Sequence, residues 1–145
     1  MNQTPDQSSD EQLQRLVRPS GLLAALDMTV IEATRERVVV QMPVSERHLQ
    51  PRGDLHGGAS VALAETAASI AGSLNAPEGM TVFGQEINAN HIRPKRDGVL
   101  TATATPLHVG RMSQVWDVKI RDENDKLVCV SRCTIAAVPL EPHVR

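Results

Sequence analysis

Aromatic side chains are almost missing from these 145 residues: there is one phenylalanine (Phe83), one tryptophan (Trp116) and no tyrosine. That argues against recognition by stacking on nucleic-acid bases, and it leaves the core to aliphatic side chains. An excess of either charge is missing too. The 15 basic and 17 acidic side chains leave a formal charge of −2, which offers no electrostatic footprint for nucleic acid. No stretch reaches the roughly 18 apolar residues in a row that a membrane helix requires. The first ten residues, MNQTPDQSSD, lack the basic start and apolar run of a secretion signal. They are expected to form a disordered tail, with residues 11–145 as a single cytoplasmic domain that has no membrane or nucleic-acid partner. Cysteine is scarce as well. Four residues apart on an extended strand, Cys129 and Cys133 would stand about 13 Å from each other, too far for a disulfide, so they read as buried thiols. The five histidines (His48, His56, His91, His108 and His143) are scattered, and no metal or other cofactor is expected.

What the sequence does have is the stretch LHGGASVALAETAASIAGSLN over residues 55–75. After His56 it runs for roughly five turns at about 3.6 residues per turn, with Glu65 as its one formal charge. A helix this apolar and small-residued on every side is expected to be enclosed by other elements. A carboxylate buried in it is costly unless a partner or a raised pKa relieves it, which makes Glu65 the first candidate for chemistry. The plain alternative is a glutamate satisfied by a backbone amide or an arginine. His56, Gly57 and Gly58 stand where the helix begins, and glycines there leave backbone N–H groups open to an oxyanion, supported by the positive end of the helix. Ser69, four residues after Glu65, shares its face and brings a hydroxyl close to the carboxylate or to a water.

Residues 11–26 read as a short helix broken near Pro19 and a second turn that Ser20 can cap. Residues 28–44 are rich in β-branched side chains around a polar centre at 35–37, the pattern of two strands and a turn. Residues 45–54 read as a loop that brings His48 and Gln50 towards the helix start. Beyond the helix come four further strands, clearest where Thr101, Ala102, Thr103, Ala104 and Thr105 alternate with period two. Their short connections predict an antiparallel meander. The fold class is therefore α+β: one long helix packed on an antiparallel sheet of five or six strands. Such a sheet leaves apolar helix surface uncovered, which predicts at least a dimer.

Three blocks, LHGGASVALAETAAS, GQEINANHIRP and LHVGRMSQVWDVKIRDENDKLVCVSRCTIA, give residues 20–138 a resemblance to the hotdog-fold acyl-CoA thioesterases. The branch resembled carries a catalytic glutamate on the central helix and includes the 4-hydroxybenzoyl-CoA, phenylacetic-acid-degradation and enterobactin-proofreading thioesterases and the 1,4-dihydroxy-2-naphthoyl-CoA hydrolase. The resemblance implies hydrolysis of an acyl-CoA thioester, aromatic acyl groups first, with coenzyme A as part of the substrate and no separate cofactor. It assigns Glu65 as nucleophile or general base and the Gly57 N–H as donor to the thioester oxygen. His56 and Gln50 match positions that orient the thioester or the lytic water, and Ser69 a hydroxyl position near that water. His91 matches a histidine near the acyl pocket, against the equal alternative of a strand histidine bonded to a carbonyl. Arg93 and Arg111, with Lys95 and Arg96, are candidates for the CoA phosphates, against a solvated surface. The implied assembly is a homodimer with the site at its interface, paired into a homotetramer.

Two other readings share the fold. A non-catalytic acyl-CoA binder would have no use for a costly helix carboxylate. A dehydratase acting on 3-hydroxyacyl thioesters would pair a histidine with an acid in a motif that is not found here.

Overall fold

The computed structural model describes residues 7–141. The chain opens with α1 (Gln7–Val17) and α2 (Gly21–Ala25), followed by the hairpin β1 (Thr29–Ala33) and β2 (Val38–Pro43). A 3-10 turn at Glu46–His48 then leads into the 18-residue helix α3 (Gly57–Leu74). Four long strands complete the chain: β3 (Met80–His91), β4 (Val99–Val109), β5 (Ser113–Asp122) and β6 (Leu127–Pro139). All strand pairs are antiparallel, in one six-stranded sheet of order β1-β2-β4-β5-β6-β3. The hotdog architecture expected from the sequence is present, with α3 lying along the inner face of the sheet.

Period-two alternation decides that inner face. Leu100, Ala102 and Ala104 of β4 point to the helix while the threonines between them are half-exposed. Trp116, Val118 and Ile120 of β5 and Cys129, Cys133 and Ile135 of β6 continue the layer across the paired strands. Facing them, α3 presents Ala59, Leu63, Ala64, Ala67, Ala68 and Ala71, side chains short enough to let the helix lie close on the sheet. A buried polar link fixes its far end. Gln114 donates from Nε2 to the Gly72 carbonyl at 3.2 Å and accepts from Trp116 Nε1 at 2.9 Å.

Several expectations need correction. The meander holds only for β4, β5 and β6. β3 pairs with β6, not with its successor β4, because the sheet curls around α3 and the 92–98 connection must cross to the other side. Residues 7–10, expected in the disordered tail, belong to α1, and residues 1–6 and His143 lie outside those described. Ser20 occupies the cap position of α2, but its side chain makes no cap hydrogen bond. The loop at 45–54 contains the 3-10 turn, closed by reciprocal bonds between Ser45 and His48. The central helix is not enclosed all round in the single chain. Ala62, Glu65, Thr66, Ser69 and Ser73 are half-exposed, since the sheet covers one side and α1 with α2 only part of the other. Among the described residues no helix is long and apolar enough to cross a membrane.

Candidate active site

The start of α3 is held from below by His48, which is 1% exposed. Its Nδ1 accepts from the Ser45 N–H at 3.1 Å, so Nε2 carries the proton and donates to the Leu26 carbonyl at 2.9 Å. Its own carbonyl accepts the His56 N–H at 2.8 Å, which fixes the residue where the helix begins. His48, near the site in sequence, thus serves the loop and not the chemistry.

A helix start leaves N–H groups without carbonyl partners. The expectation that both glycines keep theirs open is half right. His56 is the cap: its Nδ1 accepts the Gly58 N–H at 2.9 Å, and its carbonyl takes that of Ala59. The Gly57 N–H is left with no acceptor among the described residues. Gly57 lines a cavity of about 340 Å³ together with Gln50, Ser60, His91 and Arg93, among others. His91 lies directly against Gly57: a Cβ there would come within 2.8 Å of the imidazole Nε2, so any side chain at 57 would push the ring aside. Gln50 is oriented by its Oε1, which accepts the Arg52 N–H at 2.8 Å. Of the basic candidates, Lys95 is committed to Glu123 at 2.6 Å and Arg96 to Asp54 at 2.9 Å. Exposed Arg93 remains at the cavity wall, joined by Arg52, which the sequence did not single out.

Glu65 stands two turns further along and opens on a different cavity, of about 250 Å³. Its walls are mainly apolar: Leu16 of α1, Leu22 and Leu23 of α2, Ala62 and Ile70 of α3. Ser69 lines it too, one turn beyond the carboxylate, but the hydrogen bond between the two that the sequence allowed is not made among the described residues. Behind the carboxylate lies Gly84 of β3, where the pairing with β6 is interrupted by a bulge. A Cβ on Gly84 would overlap Glu65 Oε1 and lie 3.2 Å from its Cδ. Glycine at 84 is therefore what lets the carboxylate rest on the strand. The sequence offered no signal for this beyond a glycine inside a strand pattern.

The structure brings Gln50, Gly57 and His91 together, and separately Glu65 with Ser69. His56 caps the helix at the rim, exposed to solvent. Arg111, in the turn between β4 and β5, lines neither cavity. Both cysteines are free and buried, which raises the thiol pKa of each. Cys133 is pushed up to about 12 by burial, reinforced by the nearby carboxylates of Glu65 and Glu86. Neither thiol is a ready nucleophile.

A helix clasped by one curled antiparallel sheet, with a carboxylate half-exposed at its middle and an open N–H at its start, is the hotdog arrangement. Comparison with known proteins gives the family. The chain belongs to the thioesterase superfamily, whose model matches residues 52–129. It is 48% identical over 116 residues, 80% of its length and 94% of the relative's, to the 1,4-dihydroxy-2-naphthoyl-CoA hydrolase of Listeria monocytogenes. It is 47% identical over 98 residues, 68% of its length and 72% of the relative's, to the proofreading thioesterase EntH of Klebsiella pneumoniae. The crystal structure of a thioesterase from Haemophilus influenzae superposes with a TM-score of 0.82 at 47% identity, covering 93% of this chain and 94% of that one. The protein is accordingly a thioester hydrolase.

Proposed function

We propose that this protein hydrolyses acyl-CoA thioesters with aromatic acyl groups, at a site that two subunits build together. The observation that carries the proposal is the carboxylate of Glu65, the only formal charge of α3, set against Gly84 and opening on an apolar cavity. In this reading the acyl group lies against Leu22, Leu23 and Ile70, and Glu65 works on the thioester carbon at the cavity mouth. As general base it takes a proton from water while the water oxygen bonds to carbon. As nucleophile it forms that bond itself, giving a mixed anhydride that water then opens. In both, the carbonyl electron pair moves onto oxygen and returns as the C–S bond breaks, and CoA leaves as a thiolate that is then protonated.

The developing oxyanion needs a donor, and the open Gly57 N–H at the positive end of the helix is suited to it. Yet Gly57 and Glu65 are eight residues apart, which is about 12 Å along the axis at 1.5 Å per residue. One thioester cannot touch both within one chain. The sheet suggests how a second copy supplies the missing half. Glu65 lies against Gly84 and Gly57 against His91, and both of these stand on β3, the outer strand, which among the described residues pairs with β6 alone. Antiparallel pairing of β3 with its copy, about an axis near Ile87 and Asn88, sets Gly84 opposite the partner's His91. That brings the carboxylate of one subunit to the helix start of the other, and it also covers an exposed twelve-residue edge that carries Phe83. Gln50 and His91 then orient the thioester, Ser69 the water, and Arg93 meets the CoA phosphates. Pairs of such dimers make the homotetramer.

Thiol release from benzoyl-, hydroxybenzoyl-, phenylacetyl- and hexanoyl-CoA tests this with wild type and Glu65→Gln side by side. The variant keeps shape and hydrogen bonding but removes the base or nucleophile, so kcat should fall about 100-fold or more with KM little changed. Turnover unaffected by the substitution would remove Glu65 from the mechanism. Saturable CoA binding without any release would favour the binding protein instead.

A further inference from the structure

Ser60 sits one turn into α3, three residues after Gly57. It is 1% exposed, and its Oγ is the one buried side-chain polar atom among the described residues that has no hydrogen-bond partner. The other buried polar side chains are answered: His48 by Ser45 and Leu26, Gln114 by Gly72 and Trp116, Ser131 by the Asn88 carbonyl at 2.7 Å. A helical serine usually returns its hydroxyl to the carbonyl four residues back, as Ser73 does to Ser69 at 2.9 Å. For Ser60 that carbonyl belongs to the cap His56, and no such bond is made. A buried hydroxyl left unanswered burdens the folded state, and alanine would be both cheaper there and the better helix former. Nothing in the resting fold explains a serine at this position.

Its surroundings do. Helical side chains lean towards the helix N-terminus, which inclines the Ser60 side chain towards the turn that Gly57 begins. Both residues line the same cavity, with Gln50 and His91. An open N–H and an unanswered O–H therefore belong to two residues one helical turn apart that line one pocket, and the group that takes two hydrogen bonds at one point is an oxygen with two lone pairs. It takes them most strongly when it carries negative charge.

We propose that the Ser60 hydroxyl is a second donor to the thioester carbonyl oxygen, beside the Gly57 N–H. This rests on the reading of Gly57 given above. As attack proceeds the carbonyl pair moves onto oxygen and Ser60 hydrogen-bonds it without giving up its proton. When the pair returns and the C–S bond breaks, the hydrogen bond weakens again. The burden in the resting protein is relieved only with substrate bound, and most fully in the transition state, where it accelerates the reaction.

The test is Ser60→Ala beside Glu65→Gln, with benzoyl-CoA as substrate. Removing the hydroxyl should leave Tm unchanged or raised, lower kcat about 10- to 100-fold, and move KM by less than about threefold. The carbonyl stretch of benzoyl-CoA bound to Glu65→Gln should rise when Ser60→Ala is added, since one donor polarises the bond less than two. An unchanged kcat and stretch overturns the proposal. So does a Tm lowered by several degrees with full activity per folded molecule, which would make the hydroxyl structural. Full turnover in Glu65→Gln would sink the wider site reading, whereas an inactive Glu65→Gln beside a fully active Ser60→Ala sinks only this one.

Discussion

Replacing Gly84 with alanine should damage catalysis far more than folding. The added Cβ would overlap Glu65 Oε1 and stand 3.2 Å from Cδ, while Gly84 is not among the positive-φ glycines, so its backbone tolerates alanine. What must yield is the end of a flexible side chain. Moving the carboxylate off its rotamer costs about 0.5–1.5 kcal/mol. The alanine returns about 0.4–1 kcal/mol by restricting the unfolded chain. The two nearly cancel, and Tm should shift by no more than about 4 °C. The carboxylate, however, retreats by about 1 Å, and a displacement of that size at the reacting group lowers turnover on the order of 100-fold. Thermal unfolding and steady-state kinetics on benzoyl-CoA, run on the same preparation, separate the two effects. Wild-type kcat in Gly84→Ala would refute the reasoning, because it would mean that the seat of Glu65 on β3 is immaterial.

Arg93→Ala should raise KM several-fold for CoA thioesters and leave it unchanged for N-acetylcysteamine thioesters, which lack phosphates; equal effects on both would place Arg93 elsewhere. Glu123 ties down the 92–98 connection by accepting from Lys95 Nζ at 2.6 Å and from the Val99 N–H at 3.2 Å. The Lys95 bond, helped by backbone N–H groups, holds its carboxyl down to about 2 from an ordinary 4.5. A depressed acid stabilises the fold above its unfolded pKa and loses that contribution as pH falls through the folded value. The Tm gap between wild type and Glu123→Gln should therefore be full at pH 7 and close between about pH 4.5 and 2, as a thermal-shift series would record.

The central helix was legible in the sequence because twenty residues of small apolar character carry one charge, and periodicity alone makes that a helix in need of cover. The strands were legible for the same reason, period two being visible in the threonines and alanines of β4. The order of the strands was not, since β3 and β6 are complementary only once the sheet curls around α3. Within the site, Glu65 and Gly57 stood out by type and spacing, and Gln50 through the family resemblance. Gly84 and Ser60 did not: the first matters through the atom lying on it, the second through a bond it fails to make. Lys95 and Arg96 looked like candidates for phosphate because their partners, Glu123 and Asp54, are 28 and 42 residues away. Local sequence shows which groups are present, but pairing decides which are free to act.

The central claim, that one subunit supplies the carboxylate and the other the oxyanion donor, is tested most directly by mixing two inactive chains. Glu65→Gln lacks the carboxylate, and Gly57→Pro lacks the N–H at the first helical position, where the backbone accepts proline while the His91 imidazole must swing aside for its ring. Co-refolded one to one, with heterodimers verified by native mass spectrometry, half the dimers should be mixed and each should hold one intact site. The account expects thiol release to recover to about a quarter of the wild-type rate. Verified heterodimers as inactive as either parent would contradict it.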